Sequence, residues 1–183
     1  MNGKKHRYVV RRKYSNPHTI ADAMQAQQMT TVKMAEMMHY SQATASRMKT
    51  GKQPVDLNTA IELVEKMQSP FLAMDLANRT IQMSAPVING NKVIKEPLAM
   101  AIRSVPEMQQ AITAVNDSLD ELSTPVGQVT DMTDVDNAIN QLLDVMLYST
   151  NSVAFICEAF HKSMSSELSH RTLEWKRIGI VGE

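Results

Sequence analysis

The segment Tyr40-Ser-Gln-Ala-Thr-Ala-Ser-Arg-Met-Lys-Thr-Gly-Lys52 carries chemically capable side chains at helical spacing. In a helix capped by Ser41 and ended by Gly51, Ala45 and Met48 share the inner face, while Gln42, Ala43, Ser46 and Arg47 fall on the outer one. Those four residue types suit the edges of base pairs. Gln can pair bidentately with adenine and Arg with guanine O6 and N7, Ala can touch a thymine methyl, and Ser can donate or accept. Thr31, Thr44 and Lys52 suit phosphate oxygens, contacts that set register without reading sequence. A plain solvated helix face would also accept Gln42 and Ser46. The choice between the two readings depends on the elements that carry these residues.

Caps and apolar spacings outline those elements. Asn16-Pro17 starts a helix to about Gln28 with Ile20 and Met24 inward. Thr30 caps a short helix in which Met34, Ala35 and Met38 form one face, His39-Tyr40 breaks it, and Ser41 caps the next. Asp56 caps a further helix with Leu57, Ala60, Ile61, Val64 and Met67 on its apolar side, and Ser69-Pro70 opens another over Phe71 to Asn78.

Two short helices joined by a three-residue turn and wrapped by others form a helix-turn-helix arrangement. Thr30-Thr31, Met34-Ala35, Met38, Tyr40, Ser41-Gln42, Ala45, Met48 and Gly51-Lys52 stand where residues 17 to 67 resemble the lambda-repressor/Cro-like (xenobiotic-response-element type) DNA-binding family. The resemblance implies core positions for Met38 and Tyr40, with helix three entering a major groove of double-stranded DNA. The chain departs from the family pattern at two places. His39 occupies a left-handed turn position where the family usually has Gly, which His tolerates at modest strain. Lys49 replaces an often acidic residue whose helix-one partner position is Met24, so the Lys49 stem is expected to pack along Met24.

The chain has 183 residues, 43% of them apolar, 4% aromatic and 15 of them Met, a mix that suits helices packed on helices and points to an all-α protein. Its net charge of zero is uneven: residues 1 to 66 hold 11 Lys/Arg against 5 Asp/Glu, and residues 67 to 183 hold 8 against 14. The basic half suits a phosphate-bearing partner. An arm over 1–16, with Lys4, Lys5, Arg7, Arg11, Arg12 and Lys13 around Tyr8-Val9-Val10, fits a DNA backbone or groove and equally a solvated tail. No secretory or membrane-spanning run is present, so the expected location is cytoplasmic, with no membrane partner. The single Cys157 lies in an apolar run and reads as core. His161 and His170 are isolated, and Asp131, Asp134 and Asp136 read as helix N-terminal charge, so neither group implies a metal. No nucleotide-binding Gly-rich loop, His-Glu-x-x-His or Gly-x-Ser-x-Gly occurs, and no enzyme activity or cofactor is expected.

The second half follows a linker over 81–96 with an Asn89-Gly90 turn. Leu98, Val105, Ile112 and Leu119 repeat every seven residues, with Ala101, Met108, Val115 and Leu122 interleaved, which predicts a heptad seam. Ser104-Val-Pro-Glu107 resembles a capping box at which the helix restarts. After a turn over Ser123 to Met132, a second long helix carries Val135, Ile139, Leu142 and Met146 and extends through Phe160 toward Leu168, with a kink expected at Ser149–Ser152. The expected organisation is the arm, a helix-turn-helix domain over 17–80, the linker, and an antiparallel helical hairpin over 97–183 that dimerises into a four-helix bundle or packs on its own head. The whole arrangement also resembles phage- and mobile-element-type regulators of Gram-positive bacteria, placing the protein in a bacterial or phage-infected cell. The resulting expectation is a dimeric, sequence-specific transcriptional repressor. The alternative is an inhibitor or antirepressor whose helical half binds another protein while its head autoregulates.

Overall fold

The computed structural model describes residues 17–81 and 84–182; the arm over 1–16 and the Asn16 cap lie outside them. Every regular element among the described residues is helical. Helices α1 (Pro17–Ala26), α2 (Thr31–Met37), α3 (Gln42–Lys49), α4 (Leu57–Met67) and α5 (Pro70–Ile81) enclose one core. Ile20, Met24, Met34, Ala35, Met38, Ala45, Met48, Leu63 and Met67 fill it, and the unbranched thioethers fit the irregular space between short helices.

Local chemistry sets the helix ends. Thr30 Oγ1 accepts from the Lys33 amide at 3.2 Å and Asp56 Oδ1 from the Thr59 amide at 3.0 Å. The Thr59 donations, the backbone amide first, hold the Asp56 carboxyl below its ordinary range. Helix α1 stops at Ala26, short of Gln28, because Gln28 turns left-handed and the Met29 amide bonds back to the Met24 carbonyl at 2.7 Å. Leu57 and Ile61 of α4 are exposed, contrary to the apolar spacing, because the helix turns Thr59, Ala60, Leu63 and Met67 inward instead. Tyr40 is also outside the core, 37% exposed, with its hydroxyl 3.3 Å from Thr59 Oγ1. The Thr59 hydroxyl donates to Asp56 Oδ2 at 2.8 Å, so Tyr40 is the donor of that bond. A phenol needs such a polar partner, which the apolar core could not supply.

In the second half, α6 (Pro97–Asp117) and α8 (Thr133–Ala159) run side by side in opposite directions. The short α7 (Leu119–Ser123) and a 3-10 turn over Val126–Gln128 connect them, and α9 (Met164–Arg177) follows. Helix α6 does not restart at Ser104. Ser104 is buried, its Oγ donates to the Ala101 carbonyl at 2.8 Å, and Pro106 sits inside the helix. The ladder bond lost at Pro106 would have ended on the carbonyl of Ile102, an exposed residue beside solvent.

The heptad residues do not form the contact between α6 and α8. Leu98, Val105, Ile112 and Leu119 are all exposed, as are Met108 and Leu122. The seam is built from small side chains and one Met, namely Met100, Ser104, Ala111, Ala114 and Ser118, facing Ala138 and Ser152 on α8. Small side chains let the backbones come close and gain more dispersion contacts than two rows of Leu would permit.

Helix α8 stops at Ala159, where His161 is left-handed and the Lys162 amide reaches the Cys157 carbonyl at 2.8 Å; Ser163 then caps α9. It therefore does not continue to Leu168, and Ser149–Ser152 lies within continuous helix. Asn151, fully buried there, serves another purpose. Its Nδ2 donates to the carbonyls of Leu147 at 2.8 Å and Pro86 at 2.9 Å, and its Oδ1 accepts from the Ile88 amide at 2.8 Å. The segment before α6 is thereby fastened to α8. Helix α5 joins the two halves: Phe71 meets Phe155 edge to face at 4.7 Å between ring centres, and Asp75 accepts from Thr19 of α1 at 2.9 Å.

Asn151→Leu should lower stability by about 2 kcal/mol, because it leaves the Ile88 amide without its partner. Urea unfolding should show a lower midpoint at unchanged slope, whereas Asn140→Leu on the solvent side of α8 should stay within about 0.5 kcal/mol of the parent.

Candidate nucleic-acid interface

The break between α2 and α3 is a closed hydrogen-bonded stop. The His39 amide donates to the Glu36 carbonyl at 3.2 Å and the Tyr40 amide to the Ala35 carbonyl at 2.9 Å, the paired bonds of a Schellman ending. That ending needs a left-handed residue, and His39 supplies it at φ 55°. Lys66 of α4 adds a donor to the Met37 carbonyl at 2.6 Å. The chain then restarts at once: Ser41 is extended, and its Oγ accepts from the Thr44 amide at 3.2 Å.

Ala35 and Ala45 are buried where α2 meets α3, so the two helices approach closely. The packing fixes which side of α3 faces out. Gln42, Ala43, Ser46 and Arg47 are all exposed, while Ala45 and Met48 are 0% and 4% exposed. The four expected base-reading residues therefore share one solvent face. Helix α3 ends where Thr50 Oγ1 donates to the Ser46 carbonyl at 2.9 Å and Gly51 turns left-handed; Lys52 is exposed just beyond.

The expected phosphate contacts divide differently. Thr31 is half-buried at the first position of α2. Thr44 is half-buried with its hydroxyl 2.9 Å from Ser41 Oγ, so its first role is to build the cap. Lys49 is half-buried, and Met24 lies in the core.

Charge is the feature that counting over the first 66 residues blurred. The basic excess of that stretch resides wholly in the arm, since residues 17–66 balance. Within the cluster, however, Lys33, Arg47, Lys49 and Lys52 gather between 31 and 53 against Glu36 alone, while Asp22, Asp56, Glu62, Glu65 and Asp75 lie elsewhere. Lys66 and Arg79 are paired with Glu62 and Asp75, whereas Arg47 and Lys52 make no ion pair among the described residues. Exposed Lys33 belongs to this basic segment and was not singled out by the motif.

Among the described residues, no group of three His, Cys, Asp or Glu side chains could hold a metal, and no helix is long and apolar enough to cross a membrane. Cys157 is buried, and burial pushes its thiol upward, away from the reactive thiolate. No protein-family model, curated protein or solved structure matches the chain.

His39→Gly should stabilise the fold by about 0.5–1 kcal/mol, the relief of a left-handed side chain less the larger entropy that glycine brings to the unfolded chain. Thermal unfolding would register it as a higher midpoint. His39→Val should lower the midpoint, because a β-branched residue is least tolerant of positive φ.

Proposed function

We propose that the protein is a sequence-specific DNA-binding transcriptional regulator of the repressor type. Helices α2 and α3 act as a helix-turn-helix, and α3 is the reading helix. One observation carries this reading: the outward face of α3 holds Gln42, Ala43, Ser46 and Arg47, side by side and exposed, on a helix whose opposite face is locked into the core. The closed stop at His39 supports it, because it ends α2 and lets α3 restart at once with Ser41, Gln42 and Ala43 exposed at its start. So does the gathering of unpaired cations in the same segment, since a phosphate backbone attracts such a patch at long range.

The roles follow from side-chain chemistry. Arg47 grips a guanine edge with two parallel donors, and Gln42 pairs with adenine through its amide donor and acceptor. Ser46 and Ala43 complete the contact surface, the first by hydrogen bonding and the second against a thymine methyl. Lys52 and Lys33 hold the flanking phosphates, with Thr31 and Thr44 at the two helix starts. The family resemblance of residues 17–67 agrees with these assignments. A head followed by an antiparallel helical hairpin is the corresponding domain organisation, and a cytoplasmic location follows from the target.

Binding-site selection from random duplexes tests the reading. The parent protein should enrich one motif, and Arg47→Ala should lose about 1–3 kcal/mol on that motif and relax its preference at one base pair per half-site. Selection of identical motifs at equal strength would remove Arg47 from the interface, and no enriched motif at all would overturn the proposal.

Lys52→Ala should instead weaken binding to every sequence alike and reduce the slope of log affinity against log salt by about 0.9, as one counterion fewer is released. Equal slopes for the parent and the variant would place Lys52 off the backbone.

A further inference from the structure

The side chains that the seam leaves out gather on one face of the long-helix pair. At about 100° per residue, the exposed row of α6 through Val105, Met108 and Ile112 lies roughly a third of a turn from the buried row of Met100, Ala111 and Ala114. The exposed row of α8 through Leu142, Met146 and Val153 is offset from Ala138 and Ser152 by roughly a quarter of a turn, in the same sense along its own chain direction. Because the two helices run in opposite directions, equal senses bring both rows out on the same side. The other side is polar: Gln110, Thr113 and Asp117 face Asn137 and Gln141 across a shallow groove. The N-terminal cluster docks elsewhere, through α5 against Phe155 near the end of α8.

We infer that this apolar face is where a second copy of the chain docks, pairing two α6–α8 hairpins into a four-helix bundle with two reading heads. Its size fits. Seven large apolar side chains on this side, the three of α6 and Ile139, Leu142, Met146 and Val153 of α8, are 39% to 64% exposed. At roughly 90 Å² each they present on the order of 600 Å², within the range of one side of a standard stable interface and at the upper end of what a lone protein leaves in water. Its composition fits a two-fold contact, in which the face must meet itself. Rows of Leu, Ile, Val and Met carry no charge to repel their own copy. The close approach of α6 to α8 over Ala111, Ala114 and Ala138 also makes the two rows one continuous surface rather than two ridges with a gap. Two heads on one bundle would read a pseudopalindrome, and to that extent the inference rests on the DNA-binding reading; the docking itself does not.

The test uses the full chain without DNA, so that its failure and that of the DNA-binding reading are distinguishable. Light scattering at tens of micromolar should give twice the chain mass of 20.4 kDa. Glu in place of both Ile112 and Leu142 should raise the dissociation constant at least 100-fold at unchanged circular dichroism, and Gln110→Glu plus Gln141→Glu on the polar side should leave the dimer intact. If the Glu pair does not fold, Ile112→Gln with Leu142→Gln serves, with an expected rise of at least 10-fold. A folded parent that stays monomeric, or a dimer indifferent to both apolar-side pairs, would overturn the inference.

Discussion

The contact of α2 with α3 over Ala35 and Ala45 is the constraint on which the candidate interface depends. Close packing there fixes the rotation of α3 about its axis, and that rotation decides which residues meet solvent. Larger side chains at either position would push the helices apart and cost about 1–3 kcal/mol of overpacking, and they would also re-aim the four outer residues. The Schellman ending at His39 and the Ser41 cap act on the same rotation from the other direction, since each fixes a helix terminus by backbone hydrogen bonds rather than by side-chain fit. Position and direction of the outer face of α3 are thus set twice, by packing and by capping.

Much of this cluster was legible in the sequence because its signals are local. Thr30, Ser41 and Asp56 cap their helices as their residue types dictate, Gly51 supplies the left-handed stop, and Met34, Ala35, Ala45 and Met48 are buried as their spacing requires. His39 at positive φ was legible only through the family resemblance, because His is not a residue that composition would nominate for that turn. Leu57 and Ile61 were misplaced because apolar type was taken for burial where a shift of one residue around α4 serves the core better, and Tyr40 because the resemblance assigns it a core position while its hydroxyl reaches Thr59.

The second half was read correctly as two long helices and wrongly as to their contact. A heptad of Leu, Val and Ile is a sign of an interface, but spacing alone does not say whether the partner lies in the same chain. Here the intrachain seam belongs to Met100, Ala111, Ala114 and Ala138, and the large residues are turned away from it. Asn151 was hidden because a polar residue between Thr150 and Ser152 looks like a break. Its three hydrogen bonds, two of them to a segment more than sixty residues away, are a tertiary fact that no local pattern encodes.

The two halves then divide the labour in physical terms. The N-terminal cluster packs around thioethers and offers hydrogen-bonding side chains and unpaired cations on one helix. The long pair closes on small residues and leaves its apolar ones outside. The measurement that bears most directly on the central proposal is an NMR titration of the full chain with a selected duplex at moderate salt. Amide shifts should concentrate on residues 41–52 and the start of α2, with Arg47 and Gln42 side-chain resonances moving most, while the groove of Gln110 and Gln141 stays still. Shifts centred on α6, α8 or α9 with α3 unmoved would contradict it.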